Sequence, residues 1–244
     1  MKSKLRLLLT IVLAAGASAA ASPDLAQLPK SAKLVYDVSV YGAEVGNLIT
    51  EISRTGDIYH VESETRAEGL AAILLGGSLH EDCDFSVSDS MEIKPRRYRI
   101  EKEGRDAYSH TADFLWDKMK VKYEDGSVLS IPRAGYVIDN CTVPFAFAAA
   151  DRIALKGYPS IHILGGERMR DYDDIKVSRE TVRVPAGKFD TVRIDQQRVD
   201  SPDKTLTIWV APTMQNIAVK IVERRRSRIA TRVTTMALAS SKGM

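Results

Sequence analysis

The densest group of side chains that could bind a metal or move protons is a run of five residues, His80-Glu81-Asp82-Cys83-Asp84. Imidazole, carboxylate and thiolate groups are the ligands that zinc takes in proteins. In a β-strand, however, successive side chains point to opposite faces, which would separate His80, Asp82 and Asp84 from Glu81 and Cys83. If this run is a strand, we expect no metal site.

Other chemical motifs are weaker. Asp171, Asp173 and Asp174 could attract calcium, but the segment lacks the glycine and the terminal glutamate of an EF-hand loop, so a solvated turn is favoured. No serine stands in a GxSxG pattern, and Gly187-Lys188 is followed by phenylalanine rather than by the Ser or Thr of a phosphate loop. Four histidines are scattered outside any HExxH pattern: His60, His80, His110 and His162. We therefore expect no catalytic residues, no cofactor and no enzymatic activity.

A series of basic residues near the C-terminus has a spacing that places its members on one face of a strand. The series comprises Arg224, Arg226, Arg228 and Arg232. Such a stripe could contact anionic lipid headgroups or acidic glycans. Alternatively, charge on a terminal strand protects a sheet edge from pairing with another chain. Both interpretations remain open at this stage.

The elements that position these groups are strands, because apolar residues recur at every second position over most of the chain. Met119, Val121 and Tyr123 alternate with charged residues, and Asp125-Gly126 follows as a hairpin turn. Similar stretches predict about a dozen strands. No regular strand–helix–strand alternation accompanies them, which excludes a doubly wound parallel sheet.

Two short segments have helical spacing instead. The run from Gly69 to Gly77 is apolar well beyond one face and ends at two glycines, so the predicted helix must be covered by protein or by a ligand. A second helix is expected from Pro144 to Leu155. Together the patterns predict a mainly β fold: a single curved antiparallel sheet or incomplete barrel with two short helices, the first serving as a lid.

A lidded, curved sheet either fills with side chains or encloses a ligand, and both outcomes fit the pattern. If the interior is hollow, the residues that would line it are Leu70, Ile73, Leu74, Phe85, Phe114 and Trp116. Most other apolar residues are expected to form the core.

The N-terminal stretch has the three parts of an export leader: basic residues at the start, a short apolar run from Leu7 to Ala15, and small residues after it. The apolar run is shorter than the ~20 residues that span a bilayer, so cleavage is favoured over anchoring. We expect a signal peptide at 1–21, a flexible arm at 22–30 and one β domain at 31–240, in the periplasm and without a transmembrane segment. The alternative, a buried N-terminal helix, would place three cations at the unfavourable end of the helix dipole.

The net charge bears on nucleic-acid binding, and the cysteines bear on disulfide formation. Removing the three basic residues of the leader leaves 32 Lys and Arg against 32 Asp and Glu, so no nucleic-acid partner is expected. Cys83 and Cys141 are the only cysteines. An even pair in an oxidising compartment is usually a disulfide, while two free buried thiols are the alternative.

Five segments follow one another along the chain: Tyr36 to Gly46, Asp139 ahead of the stretch from Phe145 to Arg152, Val184 to Phe189, Ile208 to Val210, and Val219 to Ile221. Their order resembles a family known as domain of unknown function 3108, found in exported bacterial proteins. A looser resemblance is to the periplasmic lipoprotein carriers, which implies an incomplete antiparallel barrel whose apolar concave face is covered by helices. These resemblances imply compartment and architecture, and no chemistry.

We therefore expect a non-catalytic periplasmic protein that binds an apolar or amphipathic envelope molecule, such as a lipid, an acyl chain or a lipid-linked glycan. The alternative is a structural or scaffolding protein of the cell envelope with a filled core, which acts by protein or glycan contact. A third hypothesis, a hydrolase of envelope polymers, would need paired carboxylates in a pocket.

Overall fold

The computed structural model describes residues 28–67, 77–104, 106–147, 158–227 and 231–243, with backbone only at 231–233. These residues form fifteen strands and one short α-helix. In chain order the elements are β1 (Ser31–Val40), β2 (Ala43–Thr55), β3 (Ile58–Ala67), β4 (Leu79–Val87), β5 (Ile93–Lys102), β6 (Tyr108–Leu115), β7 (Lys120–Tyr123), β8 (Val128–Ser130), β9 (Tyr136–Asp139), α1 (Val143–Ala146), β10 (Ile161–Gly165), β11 (Arg168–Val184), β12 (Gly187–Arg198), β13 (Lys204–Ala211), β14 (Ile217–Arg226) and β15 (Thr231–Lys242). The prediction of a mainly β fold is confirmed.

All fifteen strands belong to one sheet, in the order β8-β7-β6-β5-β4-β3-β2-β1-β15-β14-β13-β12-β11-β10-β9. Each half is a meander, and the halves join where β15 pairs with β1. Among the described strands, one neighbouring pair departs from the predicted antiparallel arrangement, since β9 and β10 are parallel. The chain between them, residues 140–160, is long enough for the crossover that a parallel pair requires.

The sheet is not closed by hydrogen bonds, but its two ends meet across the interior. Tyr136 in β9 accepts a hydrogen bond from the Ile93 N–H at the start of β5 and donates one to the Ala146 carbonyl, both at 3.0 Å. Tyr123 in β7 donates to the Gly166 carbonyl just after β10 at 3.2 Å. We call this contact zone between β4–β7 and the β9–β10 region the seam; it makes the fold an incomplete barrel.

Burial follows the alternation that predicted the strands. In β1, Ala32 and Leu34 are buried while Lys33 between them is exposed, which defines an inner and an outer face of the sheet. The short strands β9 and β10 are buried almost throughout, as expected for strands covered on both faces. A ligand enclosed by the sheet would therefore contact the inner face.

Several expectations need correction or lie outside the described residues. The aspartates at 171–174 are in the long strand β11, with a register shift between Asp173 and Lys176, rather than in a turn. Of the second helix only Val143–Ala146 is described, and the first helix falls on residues 68–76, outside the described part. The leader and most of the arm lie outside it too. Within the described residues, no helix is long and apolar enough to cross a membrane.

Candidate functional site

The five-residue run that could carry chemistry is split between the two faces of β4, as the strand argument predicts. Cys83 and Phe85 are buried on the inner face. On the outer face, the Asp84 carboxylate contacts a ring nitrogen of His60 in the neighbouring strand at 2.8 Å. Glu81, two residues before Cys83, belongs to the inner face. The run therefore forms no single metal site.

The two cysteines form a disulfide at the seam. Their Cα atoms are 6.2 Å apart, and the bond joins β4 to the turn that follows β9. Cys83 and Cys141 are 1% and 2% exposed. The predicted pairing is confirmed, and it locks one end of the sheet against the inner face of the other half.

Asp139, the last residue of β9, is a fully buried carboxylate beside this disulfide. Its Oδ1 accepts a hydrogen bond from the Thr142 N–H at 2.9 Å, and the Thr142 hydroxyl donates to the Asp139 carbonyl at 2.9 Å, which holds the turn. Its Oδ2 has no hydrogen-bond partner among the described residues. Burial raises the pKa of Asp139 to about 7, against the opposing effect of the Thr142 hydrogen bonds.

A second inner carboxylate, Glu81, belongs to a polar network at the seam. The Tyr98 hydroxyl donates to Glu81 Oε1 at 2.5 Å, and the Arg170 guanidinium contacts Asn140 Oδ1 at 3.4 Å. Burial raises the pKa of Glu81, although hydrogen bonds from Tyr98 and Asn140 and the charge of Arg170 oppose that rise. Gly165 leaves room for this network, because a Cβ there would lie 2.8 Å from Asn140 Nδ2 and would displace that side chain.

Glu81 also ends a row of polar groups that crosses the inner face. Thr50 in β2 lies opposite Ser63 in β3, and Ser63 lies opposite Glu81. The two hydroxyl oxygens are buried and 3.0 Å apart, at hydrogen-bond distance. We call Thr50, Ser63 and Glu81 the polar row.

An apolar row crosses the same inner face, and along β1, β2 and β3 it lies four residues from the polar row. Its members are directly paired from strand to strand over eight strands: Val177, Ile194, Ile208, Ile221, Met236, Val38, Gly46 and Ala67. The isoleucines are at most 2% exposed, whereas Val177, Met236 and Val38 keep part of their surface exposed. The row ends at the point where the predicted lid, residues 68–76, would begin.

The predicted lining residues are placed differently. Phe85 is fully buried and stacks on Tyr59 with ring centroids 5.3 Å apart. Phe114 stacks on Trp116 at 5.9 Å, and the indole N–H of Trp116 donates to the Pro95 carbonyl at 2.6 Å. Phe85 and Phe114 therefore lie in the core and Trp116 packs against it partly buried, while Leu70, Ile73 and Leu74 lie outside the described residues.

The basic stripe is only partly described. Arg224 and Arg226 are exposed at the end of β14, but Arg225 between them is exposed as well, so the charge is not confined to one face. Because β14 lies between β13 and β15, protection of a sheet edge does not explain these charges. Arg228 is outside the described residues, and only the backbone of Arg232 is described.

A groove of about 400 Å³ on the outer face of β2–β5 was not expected from the sequence. Its side chains include Glu51, Glu62 and Asp82, and Glu62 lies directly opposite both of the other two. Such like-charge neighbours are unfavourable unless cations compensate. His60 contacts Glu62 and Asp84, and although partial burial favours the neutral ring, these two carboxylates raise its pKa.

The fold and the interior define a class of protein: a single-sheet, incomplete β-barrel whose ends are joined by a buried disulfide and polar seam. Within that class the chain belongs to the family described as protein of unknown function (DUF3108), whose model matches residues 35–233. A solved structure with a similar fold is a beta-barrel-like protein of domain of unknown function DUF1849 from Brucella abortus. It has a TM-score of 0.57 and 9% identity, and the match covers 88% of this chain and 98% of that chain. No curated protein matches the chain.

Proposed function

We propose that this chain is an exported, non-catalytic carrier that holds an apolar or amphipathic envelope molecule against the inner face of its sheet. The observation that carries the proposal is the apolar row, which crosses eight strands without a polar interruption and ends beside residues 68–76. Val177, Met236 and Val38 keep part of their apolar surface exposed, and small-molecule sites are concave and lined mainly by apolar side chains.

The polar row suits the amphipathic members of this ligand class. It lies four residues along the strands from the apolar row, which corresponds to about 13 Å at ~3.3 Å per residue. At that distance the hydroxyls of Thr50 and Ser63 contact each other, and the carboxyl of Glu81 accepts from Tyr98, so this end of the inner face is polar. A lipid or acylated molecule would thus lay its chain along the apolar row and direct its polar end toward the seam.

Two features support export and the absence of catalysis. A buried disulfide is typical of proteins in oxidising compartments, in agreement with the leader pattern. The two inner carboxylates already accept hydrogen bonds from the protein, Glu81 from Tyr98 and Asp139 from Thr142. Carboxylates that catalyse glycoside hydrolysis instead flank the bond that is cleaved.

The first experiment tests carriage with the full-length gene product. Protein purified from the envelope fraction is extracted with organic solvent, and the extract is analysed by mass spectrometry. We expect a recurrent amphipathic molecule, and we expect the intact mass of the protein to lack residues 1–21. Clean extracts together with no uptake of a fluorescent fatty acid would refute carriage and leave the scaffolding hypothesis in its place.

A matched pair of variants then locates the binding surface. Val38 and Val35 are both half-buried in β1 but face opposite sides of the sheet. Val38→Asn interrupts the apolar row and should weaken fatty-acid binding by about tenfold or more, which corresponds to ~1.4 kcal/mol. Val35→Asn makes the same substitution, with the same loss of β-branching, on the outer face. The Val35→Asn variant should therefore bind the fatty acid as tightly as the wild type does. Equal affinity of the two variants would place the binding surface elsewhere.

A further inference from the structure

Three metal-ligand groups converge at the seam. Cys83 Sγ, Cys141 Sγ and a carboxylate oxygen of Asp139 all lie within 4.8 Å of one another. All three residues are buried, at 1%, 2% and 0% exposure. Thiolate sulfur and carboxylate oxygen are both ordinary zinc ligands. In the disulfide form, however, neither sulfur can act as a thiolate.

The unpaired oxygen of Asp139 is the second observation that points to a ligand. The turn after β9 uses Oδ1, which accepts the Thr142 N–H, and the main-chain carbonyl of Asp139, which accepts the Thr142 hydroxyl. Those contacts explain an aspartate at this position, yet Oδ2 has no partner in the described part of the chain. A buried carboxylate oxygen without a partner is costly. A cation held between Asp139 and the two sulfurs would remove that cost.

We propose that the dithiol form of this protein binds one Zn²⁺ through Cys83 Sγ, Cys141 Sγ and the Asp139 carboxylate, with a fourth position open. A dithiol reductant supplies two electrons and two protons to the Cys83–Cys141 bond and itself becomes a disulfide. Zn²⁺ then replaces the two thiol protons, which pass to solvent. The ion and the disulfide are mutually exclusive, so the seam is closed either by a covalent bond or by a metal.

The position of the site in the sheet determines how the ion enters. The site is buried, but β9 is the terminal strand of the sheet, Asp139 is its last residue and Cys141 follows two residues later. An ion reaches a buried site only when the structure around that site opens locally. We therefore expect the metal to bind slowly, at the rate at which the end of β9 separates from the interior.

The test uses the full, folded chain with Co²⁺ as a spectroscopic substitute for Zn²⁺. One sample is reduced with excess dithiothreitol and desalted without oxygen, and the other is kept oxidised. We expect one tightly bound Co²⁺ per reduced chain, with a thiolate-to-cobalt charge-transfer band, and no such band in the oxidised chain. A reduced, folded chain without the band would overturn the proposal.

Variants assign the carboxylate. Asp139→Asn keeps the size of the side chain and should lower the Co²⁺ affinity of the reduced protein by ~100-fold or more, since even indirect contacts to a metal cost 10–100-fold. Asp82→Asn, next to Cys83 but on the outer face, is the matched control and should bind as the wild type does. Equal affinity of Asp139→Asn and the wild type would refute the role of Asp139.

Folding is monitored by circular dichroism throughout. If reduction unfolds the wild-type chain, Zn²⁺ should restore the β signal, because metal binding to a site that exists only in the folded state favours folding. Failure of Zn²⁺ to refold the reduced chain would count against the proposal as clearly as the absence of the cobalt band.

Discussion

The disulfide at the seam allows a quantitative prediction about stability. Replacing both cysteines by alanine removes a cross-link that closes a loop with a sequence separation of 58 residues. For a loop of this length the chain-entropy relation gives ~4 kcal/mol of lost stability at 25 °C. For a chain of this size 1 kcal/mol corresponds to about 2–4 °C in Tm, so the double variant should melt about 8–16 °C below the wild type.

The measurement is thermal unfolding followed by circular dichroism, with a chelator present so that no metal contributes. The reduced wild type keeps both sulfur atoms and loses only the cross-link, and it should therefore lose a similar amount of stability. If the Tm of the double variant and that of the reduced wild type each fall by less than about 3 °C, the ends of the sheet hold together without the disulfide. That result would refute the assignment of the seam as the covalent closure of the barrel.

Three further predictions concern single side chains. Tyr36→Phe removes the hydrogen bond from the buried Tyr36 hydroxyl to a β14 carbonyl and should cost ~1–2 kcal/mol in urea unfolding, whereas Tyr41→Phe, at a residue that is 65% exposed, should be neutral. Gly46→Ala places a Cβ 1.9 Å from a carbonyl oxygen of β3 and should cost ~1–3 kcal/mol or more; an unchanged urea midpoint would contradict the close approach. The pKa of His60 is raised in the folded protein, where its ring contacts Asp84. The stabilisation from this contact is therefore complete below the unfolded pKa of ~6.5. It is lost as the pH rises through the folded pKa. The stability difference between wild type and His60→Gln should therefore be larger at about pH 5.5 than at about pH 8.

The parts of the fold that depend on local periodicity were predictable. The alternation around Val121 correctly indicates a strand, although the strand begins only at Lys120 because Met119 adopts a left-handed conformation at the end of a short 3₁₀ turn. The assignment of Glu81 and Cys83 to one face also follows from the period of two. These features require no knowledge of which strands become neighbours.

The parts that depend on distant segments were not predictable. Periodicity describes one segment at a time, so it could not show that β9 and β10 would run parallel or that the ends of the sheet would meet. The burial of Asp139 was missed for the same reason. One local signal was available: aspartate favours turns because its side chain accepts hydrogen bonds from nearby main-chain N–H groups, and Asp139 accepts one from Thr142. That signal indicates the turn, but the neighbouring sulfurs come from a distant strand.

The pairing of β1 with β15 has a consequence for how the chain matures. β1 must wait for β15, which follows it about 200 residues later in the chain, since Lys33 to Val40 find their partners at residues 234–242. Until then, each meander carries an unpaired strand edge of the kind that recruits other chains. Assembly of the sheet thus waits for the synthesis of β15, and the interval before that moment is when the chain most needs protection from aggregation.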